Sequence, residues 1–284
     1  MDTKTRVNDL ELQLNNIPIA NKIPELDIAI EAAVNAGNAI LRIYKKDYKT
    51  ITKHDDSPLT EADLKSNDVI KDILSKTGHV ILSEEDKDEQ DRLLMETVWI
   101  VDPLDGTSDF IDETGEFTVM IALVKNKKPI VGVINWPTEN TIFAAQKGGG
   151  AFKYSNNRWE KINVTSISEI SKCRMVGSRH HLSDNERHFI EKLGIKNFTS
   201  IGSSLKVGKI SSGEAEAYLT TTNKIKEWDS AASYCIIHEA GGKMTDVFGN
   251  DLSYNNKVIN HENGILVTNG LIHEKIVKEF RKLN

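Results

Sequence analysis

Two aspartates stand three positions apart in Trp99-Ile100-Val101-Asp102-Pro103-Leu104-Asp105-Gly106-Thr107, directly after an apolar run. Pro103 lacks a backbone donor and stops a strand ladder, and Gly106 permits a tight turn. Both carboxylates then project from a strand end, beside the backbone amides of Gly106 and Thr107. Hard carboxylate oxygens next to free amides suit Mg2+ and a phosphate group. The same residues also read as a surface turn rich in Asp, Pro and Gly.

Three further acidic positions share this context. Ser83-Glu84-Glu85-Asp86 follows a short apolar run, Trp228-Asp229-Ser230-Ala231-Ala232 opens a helical pattern, and Asp63 lies just inside another. Each has a plainer reading: a solvated acidic loop, a carboxylate favouring a helix dipole, and the acid of a capping box. Rival motifs fail on single residues. An EF-hand loop with its glycine at Gly106 needs Asp where Val101 stands. Gly202 to Gly208-Lys209-Ile210 is one residue too long for a phosphate-binding Walker loop and lacks its Ser or Thr. No helical pattern follows Gly148-Gly149-Gly150, which reads as a hairpin turn.

The elements that carry these residues follow from periodicity. Pro24 opens a helix to about Tyr44, with Leu26, Ile30, Ala33, Val34, Ile40 and Leu41 at helical spacing. A second helix starts at Thr60 and ends at Lys76-Thr77-Gly78. Strands are expected at 79–82 and 98–101, separated by Glu84–Glu96, which is dense in Asp and Glu and reads as a solvated, mobile loop. Apolar runs 117–124, 130–136 and 141–145 predict an antiparallel meander. Strands and helices then alternate, including a helix at 229–240 stopped by Gly241-Gly242. The expected class is layered α/β or α+β. The expected organisation is a polar arm over 1–22, an α+β subdomain with an antiparallel sheet and most of the acids over 23–160, and an α/β subdomain over 161–284.

Composition bounds the partners. The 284 residues, 39 % apolar and 27 % charged, exclude a disordered or collagen-like chain. No apolar run approaches the ~20 residues of a membrane helix. A net charge of −6 offers no general footprint for nucleic acid polymers or anionic lipid. Cys173 and Cys235 are 62 positions apart and belong to no Cys/His cluster, which fits two buried thiols. The N-terminus lacks the basic stretch and apolar core of a signal peptide, so a cytoplasmic location is expected.

Together, Leu59-Thr60 with Asp63, Ser83-Glu84-Glu85, Asp102 to Thr107 and Trp228-Asp229-Ser230-Ala231-Ala232 resemble the inositol monophosphatase superfamily of Mg2+-dependent, lithium-sensitive phosphatases. The resemblance runs from about residue 26 to 270 and includes Gly149-Gly150-Ala151-Phe152, Gly202-Ser203-Ser204 and His238-Glu239-Ala240-Gly241-Gly242. It implies an αβαβα sandwich. Asp102–Val119 and Ser200–Lys206 look like the CysQ-type 3′(2′),5′-bisphosphate nucleotidase branch. By resemblance, Glu84, Asp102 and the Leu104 carbonyl hold one Mg2+, and Asp102, Asp105 and Asp229 a second. A third, weaker ion lies near Glu84 and Asp63. Asp63 and Thr107 activate the attacking water, and the Gly106 and Thr107 amides hold phosphoryl oxygens. Ser203 and Lys206 match a pair that grips the uncleaved phosphate, and His181 matches a histidine beside the base.

One departure stands out. The nucleotidases usually carry an arginine where Ala217-Tyr218-Leu219 is followed here by Thr220, with Lys224 and Lys226 as candidate substitutes. The resemblance thus implies a hydrolase that removes the 3′-phosphate of adenosine 3′,5′-bisphosphate, a small phosphate ester. An inositol phosphate is the alternative substrate, and a non-catalytic binding module on the same fold is the alternative class. A second copy of the chain is a candidate partner.

Overall fold

The computed structural model describes residues 16–52, 58–180 and 182–283. Helix α1 (Pro24–Ile43) starts on proline, and α2 (Glu61–Leu74) starts on a capping box in which Thr60 and Asp63 satisfy each other's end of the turn. A short antiparallel pair, β1 (Thr50–Thr52) and β2 (Pro58–Thr60), leads into α2. A seven-stranded sheet follows, in order β3 (Val80–Ser83), β4 (Thr97–Asp105), β5 (Thr118–Lys125), β6 (Lys128–Trp136), β7 (Thr141–Gln146), β8 (Gly150–Ser155) and β9 (Arg158–Ile162). β3 and β4 are parallel, and the remaining pairs are antiparallel. The short helix α3 (Thr107–Ile111) joins β4 to β5.

The second sheet has five strands in the order β11 (Asn197–Ile201), β10 (Arg174–Ser178), β12 (Ala217–Thr220), β14 (Ile265–Thr268) and β13 (Lys243–Thr245). Its first three strands are parallel, and β14 runs against both neighbours. Helices α4 (Asp184–Lys192), α5 (Leu205–Ser211), α6 (Ala231–Glu239) and α7 (His273–Phe280) complete the described elements.

Strand alternation sorts the side chains into three cores. Trp99, Val101, Val119 and Ile121 face α1 and α2. Val98, Ile100, Met120 and Ala122 face the other way, onto Leu205, Val207, Ile236 and Ile237 of α5 and α6, and those helices also meet Val176, Tyr218 and Val267 of the second sheet. Met175, Ala217, Leu219 and Leu266 point outward under Phe189 of α4 and Ile276 and Phe280 of α7. The result is five layers, αβαβα, as the family resemblance implied, within the layered α/β class that the sequence pattern predicts. No helix among the described residues is long and apolar enough to cross a membrane.

The structure adds detail in two segments. Of the arm over 1–22, residues 1–15 lie outside the described residues; in the remainder Ile17 and Ile19 are buried, and Gln146 bonds Ile23 N at 2.9 Å and Asn21 O at 3.1 Å. Segment 84–96 is not simply a solvated loop. It contains a 3-10 turn, Gln90–Leu94, and Arg92 within it is buried. Charge density suggested exposure, and paired burial reversed it.

His273 supplies a stability prediction. It is fully buried, with Nε2 2.9 Å from Thr245 Oγ1 and Nδ1 2.9 Å from Thr268 Oγ1. Burial holds the neutral ring and lowers its pKa from 6.5 to about 4. The unfolded chain therefore takes up the proton first as pH falls. The stability contributed above pH 6.5 is lost on the way down to about 4, an effect of about 3 kcal/mol. His273→Gln should flatten the fall of unfolding free energy over that window in urea melts. An unchanged slope would count against it.

Candidate active site

The parallel pairing of β3 with β4 sets Ser83 beside Val101, so the next residues, Glu84 and Asp102, emerge side by side. Glu84 N donates to Val101 O at 3.2 Å. The β4–β5 register breaks between Asp102 and Asp105, where Pro103 has no N–H to give. Ser66 Oγ holds the Pro103 carbonyl at 2.6 Å, and Leu104 N donates to Asp102 Oδ1 at 3.1 Å. Asp229 arrives from the other sheet's side. It sits in the turn before α6, which starts two residues later than its sequence pattern suggested, and its Oδ2 accepts from Lys226 N at 2.6 Å.

Glu84, Asp102 and Asp229 each offer a carboxylate oxygen, and these atoms lie within 4.8 Å of one another. Two like charges about 4 Å apart repel by roughly 4 kcal/mol at an effective dielectric of about 20. Burial, followed by repulsion from Glu84, Asp105 and Asp229, pushes the Asp102 carboxyl well above the usual carboxylate range. Burial and Glu84 do the same for Asp229. A set of hard oxygens held together against repulsion fits a divalent cation such as Mg2+. Asp105 lies outside the 4.8 Å group. Its Oδ2 accepts from Ser204 N at 2.5 Å and Thr118 Oγ1 at 3.2 Å.

Asp63 does more than cap a helix. Its Oδ2 accepts from Thr60 N at 2.7 Å and Thr60 Oγ1 at 2.5 Å, while Oδ1 accepts from Thr107 Oγ1 at 3.0 Å. The Thr107 hydroxyl also lies 3.3 Å from the Leu104 carbonyl. Gly106, at φ 94°, turns the chain into α3, and a Cβ there would meet Glu116 O and Ser203 Cβ at 3.2 Å. Backbone conformation and space both call for glycine.

Glu84, Asp102, Asp105, Gly106, Thr107 and Asp229 line a cleft of about 600 Å³, with Asp63 buried behind Thr107. The same cleft is lined by Ser203, Lys206, Tyr218 and Thr220. The arrangement joins a cation-fitting carboxylate set, a threonine–aspartate pair and a buried ammonium. The model of the inositol monophosphatase family matches residues 22–284. The chain belongs to that family.

Relatives include the 3′(2′),5′-bisphosphate nucleotidase CysQ of Shigella flexneri and that of Escherichia coli K12. Each is 37 % identical over 237 residues, covering 81 % of this chain and 93 % of theirs. The crystal structure of CysQ from Bacteroides thetaiotaomicron is 34 % identical with a TM-score of 0.74, covering 86 % of this chain and 96 % of that one. An IMPase from Thermotoga maritima is 26 % identical with a TM-score of 0.78, covering 92 % and 98 %.

Within the cleft of this family member, Lys206 is 8 % exposed. Its Nζ donates to the Ser203 carbonyl and lies 5.3 Å from the Tyr218 ring centroid. Burial lowers its pKa, and Asp105 opposes that shift. Thr220 is buried in the cleft wall without a charge, while Lys224 and Lys226 line the mouth. Lys226 Nζ stands 5.1 Å from the Trp228 ring centroid. His181 lies outside the described residues.

Sequence reasoning passed over Asp109, which is buried against Gly202, 3.2 Å from Arg179 Nε and 3.4 Å from His180 Nε2. The one signal in the sequence is its place, an acid two residues past Thr107 and directly before Phe110, with which it is buried.

Proposed function

We propose that this chain is a Mg2+-dependent phosphomonoester hydrolase that removes the 3′-phosphate of adenosine 3′,5′-bisphosphate, giving the 5′-monophosphate and inorganic phosphate. The observation that carries the reading is the cleft itself: carboxylates that fit a divalent cation and a buried ammonium, Lys206, line the same cleft. A substrate with two phosphates meets both. The names of relatives 37 % identical to this chain support the same substrate.

Glu84, Asp102 and the Leu104 carbonyl would hold one Mg2+, Asp102, Asp105 and Asp229 a second, and Glu84 with Asp63 a third. Cations there lower the pKa of the attacking water and neutralise charge on the leaving oxygen. The Thr107 hydroxyl, already committed as donor to Asp63, turns a lone pair toward the water. It therefore orients the water and passes its proton to Asp63. The water oxygen bonds to phosphorus as the ester P–O bond breaks, and the 3′-oxygen leaves with that electron pair and takes up a proton from solvent. The amides of Gly106 and Thr107 hold phosphoryl oxygens, which is the positioning phosphoryl transfer chiefly requires. Ser203 and Lys206 bind the phosphate that stays.

An inositol phosphate is the second reading, favoured by the uncharged Thr220 in the cleft wall. Phosphate release with Mg2+, compared across adenosine 3′,5′-bisphosphate, inositol phosphates and fructose bisphosphate, separates the two. The first substrate should lead, and a clear preference for an inositol phosphate would replace the proposal. Millimolar Li+ is expected to inhibit, and added Mg2+ not simply to rescue. Full activity across a lithium titration would speak against the second cation position around Asp229.

A further inference from the structure

Arg92 lies in the acid-rich segment 84–96, yet it is 1 % exposed. Its guanidinium is engaged along every edge. Nε and Nη2 donate to Asp88 Oδ1 and Oδ2 at 2.6 and 2.8 Å, Nη1 to Asn255 Oδ1 at 2.7 Å, and Nη2 also to Asn256 O at 2.9 Å. Asn255 Nδ2 returns a bond to the Arg92 carbonyl at 2.9 Å, across 163 positions of chain. Behind Asn255 stands Glu227, itself 1 % exposed. Its carboxylate accepts from Asn255 N at 2.6 Å, Asn256 N at 2.9 Å and Asn256 Nδ2 at 2.9 Å.

Both ends of this network adjoin a carboxylate of the acidic cluster. The segment that Arg92 anchors begins at Glu84. Glu227 precedes Asp229 by two residues, and its carbonyl accepts from Ala231 N at 2.9 Å and Ser230 N at 3.3 Å, which starts α6. Neither Arg92, Asn255 nor Glu227 lines the cleft. We infer that Arg92, Asn255 and Glu227 are positioning residues, a buried clamp that holds Glu84 and Asp229 at the separation a divalent cation requires.

The physical need is repulsion. Glu84 and Asp229 come from segments far apart in the chain, and their charges drive those segments away from each other until a cation binds. Segment 84–96 has few apolar residues with which to resist. A guanidinium fork fixes direction as well as distance, because its donors are rigid and planar. An ammonium at the same place keeps the charge but cannot bond Asp88 and both asparagines in that geometry. Polar groups bonded directly to metal ligands change metal affinity by about 10–100-fold when altered, and a clamp acting through the backbone one step behind them falls at the lower end of that range.

The inference rests on the metal-site reading above and is tested apart from turnover. Mg2+ binding to the full chain, stripped of metal and free of substrate, is measured by calorimetry for the unaltered protein, Arg92→Lys and Asn255→Gly. Asn255 has φ 58°, so glycine fits the backbone there and removes only the side-chain bonds. Should Arg92→Lys fail to fold, Asn255→Gly still carries the test, since it leaves the Arg92–Asp88 pair in place. Both variants are expected to bind Mg2+ at least ~10-fold more weakly, with kcat and substrate KM restored at saturating Mg2+. A lowered melting temperature with unchanged Mg2+ affinity would overturn the clamp and leave a merely structural network. Absence of Mg2+ binding by the unaltered protein would instead bring down the metal-site reading.

Discussion

Asp229→Asn and Asp105→Asn each turn over substrate at least ~100-fold more slowly than the unaltered protein, while remaining folded. Asparagine keeps the shape of the side chain and removes its charge. At Asp229 the oxygen that accepts from Lys226 N is retained, so the turn before α6 survives. What is lost is one of the three clustered carboxylate charges that would attract a cation there. A second outcome follows from the direction of the carboxyl shift. Burial and Glu84 raise the Asp229 pKa well above its ordinary value, so its ionised form destabilises the metal-free fold at neutral pH. Without Mg2+, Asp229→Asn should therefore melt no lower than the unaltered protein near pH 7, and any advantage should vanish in acid. Circular dichroism melts in chelator and rates at saturating Mg2+ read the two effects separately. Near-normal rates in well-folded variants would sink the assignment of these acids.

Lys206→Ala should weaken turnover of adenosine 3′,5′-bisphosphate by roughly 1.5–3 kcal/mol in kcat/KM, the scale of a charged hydrogen bond. The ammonium is buried, and one of its three donors goes to the Ser203 carbonyl. A second phosphate needs such a fixed cation, since burying its charge unpaired is costly. A small monophosphate has no group to meet it and should be hydrolysed at nearly the same rate by both proteins. Equal losses on both substrates would show that Lys206 does not read the second phosphate. The uncharged Thr220 would then weigh more, and an inositol-type substrate would become the better assignment.

The legible parts of the molecule were those written locally. Pro24, the Thr60–Asp63 box and Gly241 mark helix ends through short-range rules, and the structure has them there. Apolar runs of strand length gave the β5–β7 meander. β9 escaped notice because Arg158, Glu160 and Lys161 dominate a five-residue edge strand whose pairing partner, not its own pattern, makes it a strand. The acids were legible as separate segments, but their convergence within 4.8 Å depends on a β3–β4 crossover and on a turn from the other sheet. Arg92 was illegible for the same reason in stronger form. Nothing within its own segment of acids announces burial. Its partners Asn255 and Asn256 lie 163 and 164 positions away, and only the fold brings them near.

The most direct measurement of the central claim is phosphorus NMR of adenosine 3′,5′-bisphosphate incubated with the purified protein, with Mg2+ and with chelator. The account predicts loss of the 3′-phosphate signal, growth of inorganic phosphate and retention of the 5′-phosphate, with Mg2+ and not with chelator. Loss of the 5′-phosphate instead, turnover that persists in chelator, or an unchanged spectrum beside rapid hydrolysis of an inositol phosphate would contradict it.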